Sequence, residues 1–335
     1  MAHRLQTSAS RTGPTFGFPV LLAALLLLSG CASRPMTGPQ TQQTVIARPG
    51  APSSPELALA PAFVLSHTDE AHNRIGRVVA AGVQGNERID IDSEHPAIYV
   101  ASQRFTTDWA AYTNLIFRIH FSKQPYSLIP FHLGAGKHVG LLVILTLDEP
   151  GQVLLVTTAN TCGCYAVTIP TATLATEFYP DGWPDAPLPI YGERLPSRLP
   201  ALGPEDRLVA LIRPEVQRIM DLRVQTRTAP LPKPVIEAET PTLASLRQLE
   251  LADGSRTSFY YDRGPLKGHV KGAIKPWETL LLSLVSLDLF VGMDKDYGDT
   301  RESGNPFYTS LKPWNRTASD LNDFAAYLRF NGWKL

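Results

Sequence analysis

Between Ser127 and Ile169 the chain carries four apolar or alternating runs: Ser127 to Leu133, Val139 to Leu147, Gln152 to Thr158 and Tyr165 to Ile169. Only short polar stretches separate them, namely Gly134 to His138, Asp148 to Gly151 and Asn160 to Cys164. Connections this short join neighbouring antiparallel strands, because a parallel pair needs a crossover of a dozen or more residues. The spacing therefore predicts an antiparallel meander. Its central strand would be VGLLVILTL, apolar at nearly every position and so covered on both faces. Upstream, Tyr112 to Phe121 alternates, with Leu115, Phe117, Ile119 and Phe121 on one parity and Asn114, Arg118 and His120 on the other. That period of two predicts a half-buried strand with His120 on its polar face.

Helical signals come late. Pro276 suits a first helical position, and Trp277 to Val291 reads as a helix closed by Gly292. Its apolar residues lie on every face, which means burial or a partner. Ser319 can cap a further helix through Leu328, and Asp253-Gly254 marks a hairpin. The fold class expected is α+β, an antiparallel sheet core with a few helices, mainly C-terminal. The 29 prolines of the chain cluster in stretches that resist regular structure. Residues 31–61 read as a disordered tether, 62–228 as the sheet domain and 229–242 as a Pro-rich linker. Residues 243–335 read as a hairpin plus helices packed on the same domain.

Residues 1–30 have the pattern of a secretory signal: Arg4 and Arg11, a nearly uninterrupted apolar core from Phe16 to Leu28, then Ser29 and Gly30. The core is too short to span a bilayer. Leu28-Ser29-Gly30-Cys31, followed by Ala32 and Ser33, resembles the lipobox of bacterial lipoproteins. The resemblance covers about the first 33 residues. It implies cleavage before Cys31, a lipid on its sulfur and a membrane anchor. Ala32, where an aspartate would retain the protein, implies the outer membrane of a diderm bacterium, with the domain facing the periplasm or the cell surface. Losing Arg4 and Arg11 turns 31 Lys+Arg against 31 Asp+Glu into 29 against 31, a net charge of −2. That balance gives no electrostatic case for nucleic acid or for an anionic lipid surface as a partner.

With Cys31 spent on the anchor, Cys162 and Cys164 remain. An even pair in an oxidising compartment is compatible with a disulfide. Reduced, two soft thiolates with His120, His132 and His138 on the same meander would suit copper or zinc. The C-x-C spacing lacks the second pair that marks a structural zinc site. Gly134-Ala135-Gly136-Lys137 lacks the Walker spacing and precedes a strand, so a turn is expected there. Asp294-Lys295-Asp296 departs from the calcium-loop pattern and reads as a solvated junction. Lys267, His269, Lys271 and Lys275 read as an exposed basic loop. No G-x-S-x-G occurs. The leading expectation is a non-catalytic binding or scaffolding protein of the envelope, its partner another envelope protein or cell-wall polymer. A metal or thiol-redox module at Cys162 and Cys164 is one alternative, and a hydrolase assembled from distant segments is another.

Overall fold

The computed structural model describes residues 44–50, 55–231 and 234–335. The signal segment, Cys31 and the first part of the expected tether lie outside the described residues. From the N-terminus the strands are β1 (Thr44–Pro49), β2 (Ala62–Ser66), β3 (Arg77–Val83), β4 (Asn86–Asp92), β5 (Tyr99–Thr106) and β6 (Ala111–His120). Then follow β7 (Lys123–Gln124), β8 (Gly136–Lys137), β9 (Gly140–Leu147), β10 (Val153–Asn160), β11 (Val167–Pro170), β12 (Leu188–Ile190) and β13 (Glu193–Leu195). The last are β14 (Asp206–Arg213), β15 (Arg218–Thr226), β16 (Val235–Ala238), β17 (Leu249–Glu250) and β18 (Arg256–Thr257). Among the described residues, four short α-helices accompany them: α1 (Pro55–Ala58), α2 (Pro276–Ser286), α3 (Thr300–Ser303) and α4 (Phe324–Phe330).

Two five-stranded sheets form the body. One is antiparallel throughout, in the order β11-β10-β9-β6-β5. The other, β15-β14-β2-β1-β16, is mixed: β14 runs parallel to β2 and β1 parallel to β16, while the remaining pairs are antiparallel. Phe63, Leu65, Leu208 and Ala210 of the mixed sheet pack against Leu115, Phe117, Leu141 and Val143 of the antiparallel one. The opposite face of the antiparallel sheet, with Ile116, Leu142 and Ile144, is covered by Phe259, Phe307, Phe324 and Tyr327 of the C-terminal third. The antiparallel sheet is thus the middle of three layers. All eight residues of β9 and all eight of β10 are buried for that reason.

This layering revises several sequence expectations. The run Ser127 to Leu133 is not a strand but a loop closed by a Leu128–Phe131 bridge. The antiparallel neighbour of β9 is instead β6, with Ile116 opposite Ile144 and His120 opposite Gly140. β6 is covered on both sides rather than half-buried: Asn114, Arg118 and His120 are fully enclosed by the C-terminal layer. Within the described part of the expected tether, β1 pairs with β2 and with β16, so Val45, Ile46 and Ala47 are buried. Val45 and Ile46 are the first large apolar residues of that segment, and an open strand edge was there to receive them. The expected linker likewise supplies β16. The Trp277–Val291 helix stops earlier, at Leu287 in the left-handed conformation. The terminal helix starts at Phe324 with Asp323 as its cap, while Ser319 is buried against Thr309.

A small hairpin is locked onto the mixed sheet by charge. Glu193 of β13 accepts hydrogen bonds from Arg213 of β14 (Nη2–Oε2 2.6 Å) and Arg218 of β15 (Nε–Oε1 2.9 Å), all three being buried. The Arg218 guanidinium also lies 5.1 Å from the centre of the Tyr165 ring, which meets Tyr191 edge-on. These two tyrosines line the site described next.

Candidate dithiol centre

At the end of β10 the chain turns sharply. Asn160 accepts the Gly163 N–H at 2.8 Å and donates its own N–H to the Cys164 carbonyl at 2.9 Å. Gly163 sits at φ +93°, and a Cβ placed on it would lie 2.1 Å from the Tyr308 carbonyl oxygen. Only glycine meets both demands. The turn brings the Cys164 N–H to 3.4 Å from the Cys162 Sγ, and both thiols are free.

Glu278 completes the centre from the first turn of α2. Its carboxylate and the two sulfurs all lie within 4.8 Å of one another. Glu278 is only 5% exposed, and its Oε2 is buried without a hydrogen-bond partner. Space for that oxygen exists because residue 292 is glycine: a Cβ there would come within 1.7 Å of it. Leu133, Tyr165, Tyr191, Leu282, Tyr308 and Leu311 enclose a cavity of about 80 Å³ beside the three groups. That is room for an ion with one small ligand, or a water or two.

Behind the thiols lie four more ionisable or polar groups. Lys275 Nζ is 3.0 Å from Asp294 Oδ2, and the other Asp294 oxygen accepts from the Thr161 hydroxyl and, at 3.3 Å, from the Gly140 N–H. Lys295 Nζ donates to the Cys162 carbonyl at 2.8 Å and lies 4.3 Å from the centre of the Tyr308 ring. Lys275, Asp294 and Lys295 are all buried. Burial alone would push the Lys275 ammonium down, but Asp294 and the nearby thiols outweigh it and raise it well above the usual lysine range. Lys295 has no carboxylate that close, and burial lowers it.

The thiols titrate as a pair. A hydrogen bond from Cys164 holds Cys162 below the usual thiol range despite burial, with Lys275 assisting. The same bond, with burial, holds Cys164 well above it. Glu278 is raised by burial, only partly offset by Lys275.

The structure brings together two of the five residues expected as ligands. His120 receives Arg118 Nε–H on its Nε2 at 2.9 Å and packs edge-on against Phe259 and Tyr99. His138 engages the Lys271 carbonyl through Nδ1 at 2.8 Å and also faces Phe259. His132 engages the Pro125 carbonyl at 2.9 Å. Among the described residues, Cys162, Cys164 and Glu278 form the group of histidine, cysteine and acid side chains close enough to share an ion, and no histidine joins it. The expectations for the basic loop and the acidic junction fail for a common reason, because the C-terminal layer folds them inward. Lys275 and His269 are buried, Lys271 pairs with Glu87 at 2.9 Å, and Asp296 pairs with Arg247 at 2.8 Å. Glu278 was invisible as a site residue in the sequence, while Lys275, Asp294 and Lys295 read there as parts of an exposed loop and a solvated junction. Their one signal was charge set among the apolar residues Leu282, Val291, Met293 and Tyr297.

Comparison with protein-family models, with curated proteins and with solved structures returns no match.

Proposed function

We propose that this chain is an outer-membrane lipoprotein, anchored through Cys31, whose folded domain binds a zinc or copper ion at Cys162, Cys164 and Glu278. The observation that carries the metal reading is the Glu278 oxygen, buried, unpartnered and within reach of two sulfurs. A buried carboxylate left without a partner is costly, and a metal ion removes that cost. Charge is consistent with it. Lys275 and Asp294 cancel, so a divalent ion on two thiolates and one carboxylate leaves a single negative charge, which Lys295 neutralises. A copper(I) ion held by the two thiolates alone reaches the same balance with Glu278 protonated. Thiolates suit either metal. Three protein ligands around zinc also leave a fourth position facing the cavity, so the site is open rather than purely structural.

The test is metal content and free-thiol count on the purified protein, before and after mild reduction. One zinc or copper per chain, lost in Cys162→Ser/Cys164→Ser, supports the reading. Glu278→Gln then identifies the ion: zinc affinity falls by more than roughly 100-fold, beyond the loss that outer-shell partners produce, whereas copper(I) is retained. A second reading, thiol–disulfide exchange, is favoured by the depressed Cys162 thiol. A metal-free protein whose two thiols are lost reversibly to an oxidised glutathione buffer would replace the first reading with the second.

A further inference from the structure

The helix α2 is built inside out. Its buried positions are polar, Glu278 and Ser286, while Leu280, Leu284 and Val285 are 65%, 84% and 61% exposed. Leu287 and Leu289 beyond its end are 74% and 72% exposed. An isolated exposed leucine needs no explanation, but a row of them over an inward polar face does. Two loops extend the patch. Phe131 meets the Trp277 ring at 5.8 Å, bringing in Leu128 and the almost wholly exposed Ile129. Arg316 donates to the Ser286 carbonyl at 2.5 Å, bringing in Leu311 and the exposed Trp314.

We infer that this face docks on an anionic lipid surface, with α2 lying in the headgroup plane. The charge around the patch selects that occupant. The segments 123–131, 274–289 and 311–316 carry the exposed cations Lys123 and Lys312, and their two carboxylates both face inward. Glu278 is buried, and Asp288 accepts from the Tyr308 hydroxyl at 2.5 Å. Apolar side chains, exposed Trp314 and Tyr126, and exposed lysines in the same segments are the composition of an interfacial surface. An eleven-residue helix cannot cross the bilayer, and none of the described helices is long and apolar enough to do so. The inference rests on the lipid-anchor reading in one respect. Residues 32–43, between Cys31 and β1, reach at most about 45 Å even fully extended, so an anchored domain stays beside the bilayer. The dithiol cavity is lined by Leu282 and Leu311 of this same face, and docking would turn its mouth toward the membrane.

The test uses the full acylated chain in phosphatidylethanolamine/phosphatidylglycerol vesicles whose acyl chains carry bromine, a short-range quencher of tryptophan. Quenching that Trp314→Phe lowers, Trp277 of α2 supplying the remainder, and that Leu280→Gln/Leu284→Gln reduces to less than half, is expected. The two glutamines lie on the solvent side, and an unchanged circular dichroism spectrum confirms that the variant is folded. The intact mass of the same preparation reports acylation of Cys31. An unacylated chain that is still quenched removes only the anchor. An acylated, vesicle-bound chain without Trp314 quenching overturns the docking, as does a concentration-dependent dimer dissolved by the leucine variant.

Discussion

Replacing Gly163 by alanine tests whether the dithiol turn is held by the contact that the structure shows. Two costs arise. An L-residue in the left-handed region loses about 1–2 kcal/mol, and Gly163 sits at φ +93°. The new methyl would also lie 2.1 Å from the Tyr308 carbonyl oxygen, so the 308 backbone must withdraw by roughly 1 Å to reach ordinary contact. That movement strains the flanking pair of bonds, Thr309 N–H to Ser319 at 3.0 Å and Leu321 N–H to Phe307 at 3.0 Å. Each contributes about 0.5–1.5 kcal/mol. The total expected is about 2–5 kcal/mol, a large share of the 5–15 kcal/mol typical of a domain. Gly151 supplies the control: it has a similar φ of +86° but no atom within 4 Å of its virtual Cβ, so Gly151→Ala should cost only about 1–2 kcal/mol. Urea denaturation with an unchanged slope measures both. If the two variants lose the same stability, the Tyr308 contact does not hold the turn and the argument for glycine between the cysteines fails.

Further consequences concern charge. Glu193→Gln leaves Arg213 and Arg218 buried without their carboxylate, and about 3–5 kcal/mol should disappear from the unfolding free energy; a loss under 1 kcal/mol would show that the trio is not compensated as drawn. His269, buried beside Phe290 and near Lys295, is held down to about 4, first by desolvation and then by that lysine. The unfolded chain binds this proton near pH 6.5 and the folded one only near 4. The stability is therefore intact above pH 6.5 and falls as pH drops toward 4, by about 3 kcal/mol for this residue. His269→Gln should flatten that part of the pH–stability curve, and an unchanged slope contradicts it. Alkylation of the Cys162/Cys164 pair by iodoacetamide should persist to lower pH than for a free thiol; a midpoint at or above about 8.5 would remove the thiolate from the site.

The sheet was legible because a strand buried on both faces is apolar at nearly every position. VGLLVILTL is apolar except for Thr146, whose hydroxyl donates to the Asn114 side chain, and β9 is the middle strand of the middle layer. The neighbouring Ser127 to Leu133 stretch is also largely apolar, yet it forms a loop whose Leu128 and Ile129 face outward. Composition cannot distinguish an apolar residue kept for the core from one kept for a surface partner. The same ambiguity hid β1, a short strand whose pairing partner β16 lies nearly 190 positions away (Ile46 opposite Val235).

What the amino-acid sequence determined by itself was local: the antiparallel strands, the late helices, the two cysteines set one glycine apart, and the lipobox-like start. Those features depend on residues a few positions apart, where steric limits and periodicity act directly. The candidate centre depended on tertiary structure. Glu278 lies more than a hundred residues from Cys162, and its reach to the sulfurs follows from α2 packing over the β10 turn and from the absence of a side chain at Gly292. Of the histidines that looked near in sequence, His120 and His138 were drawn toward Phe259, His120 also toward Arg118, and His132 toward the Pro125 carbonyl. The direction of His120 was decided by which layer covers the polar parity of β6, and that layer comes from the far end of the chain.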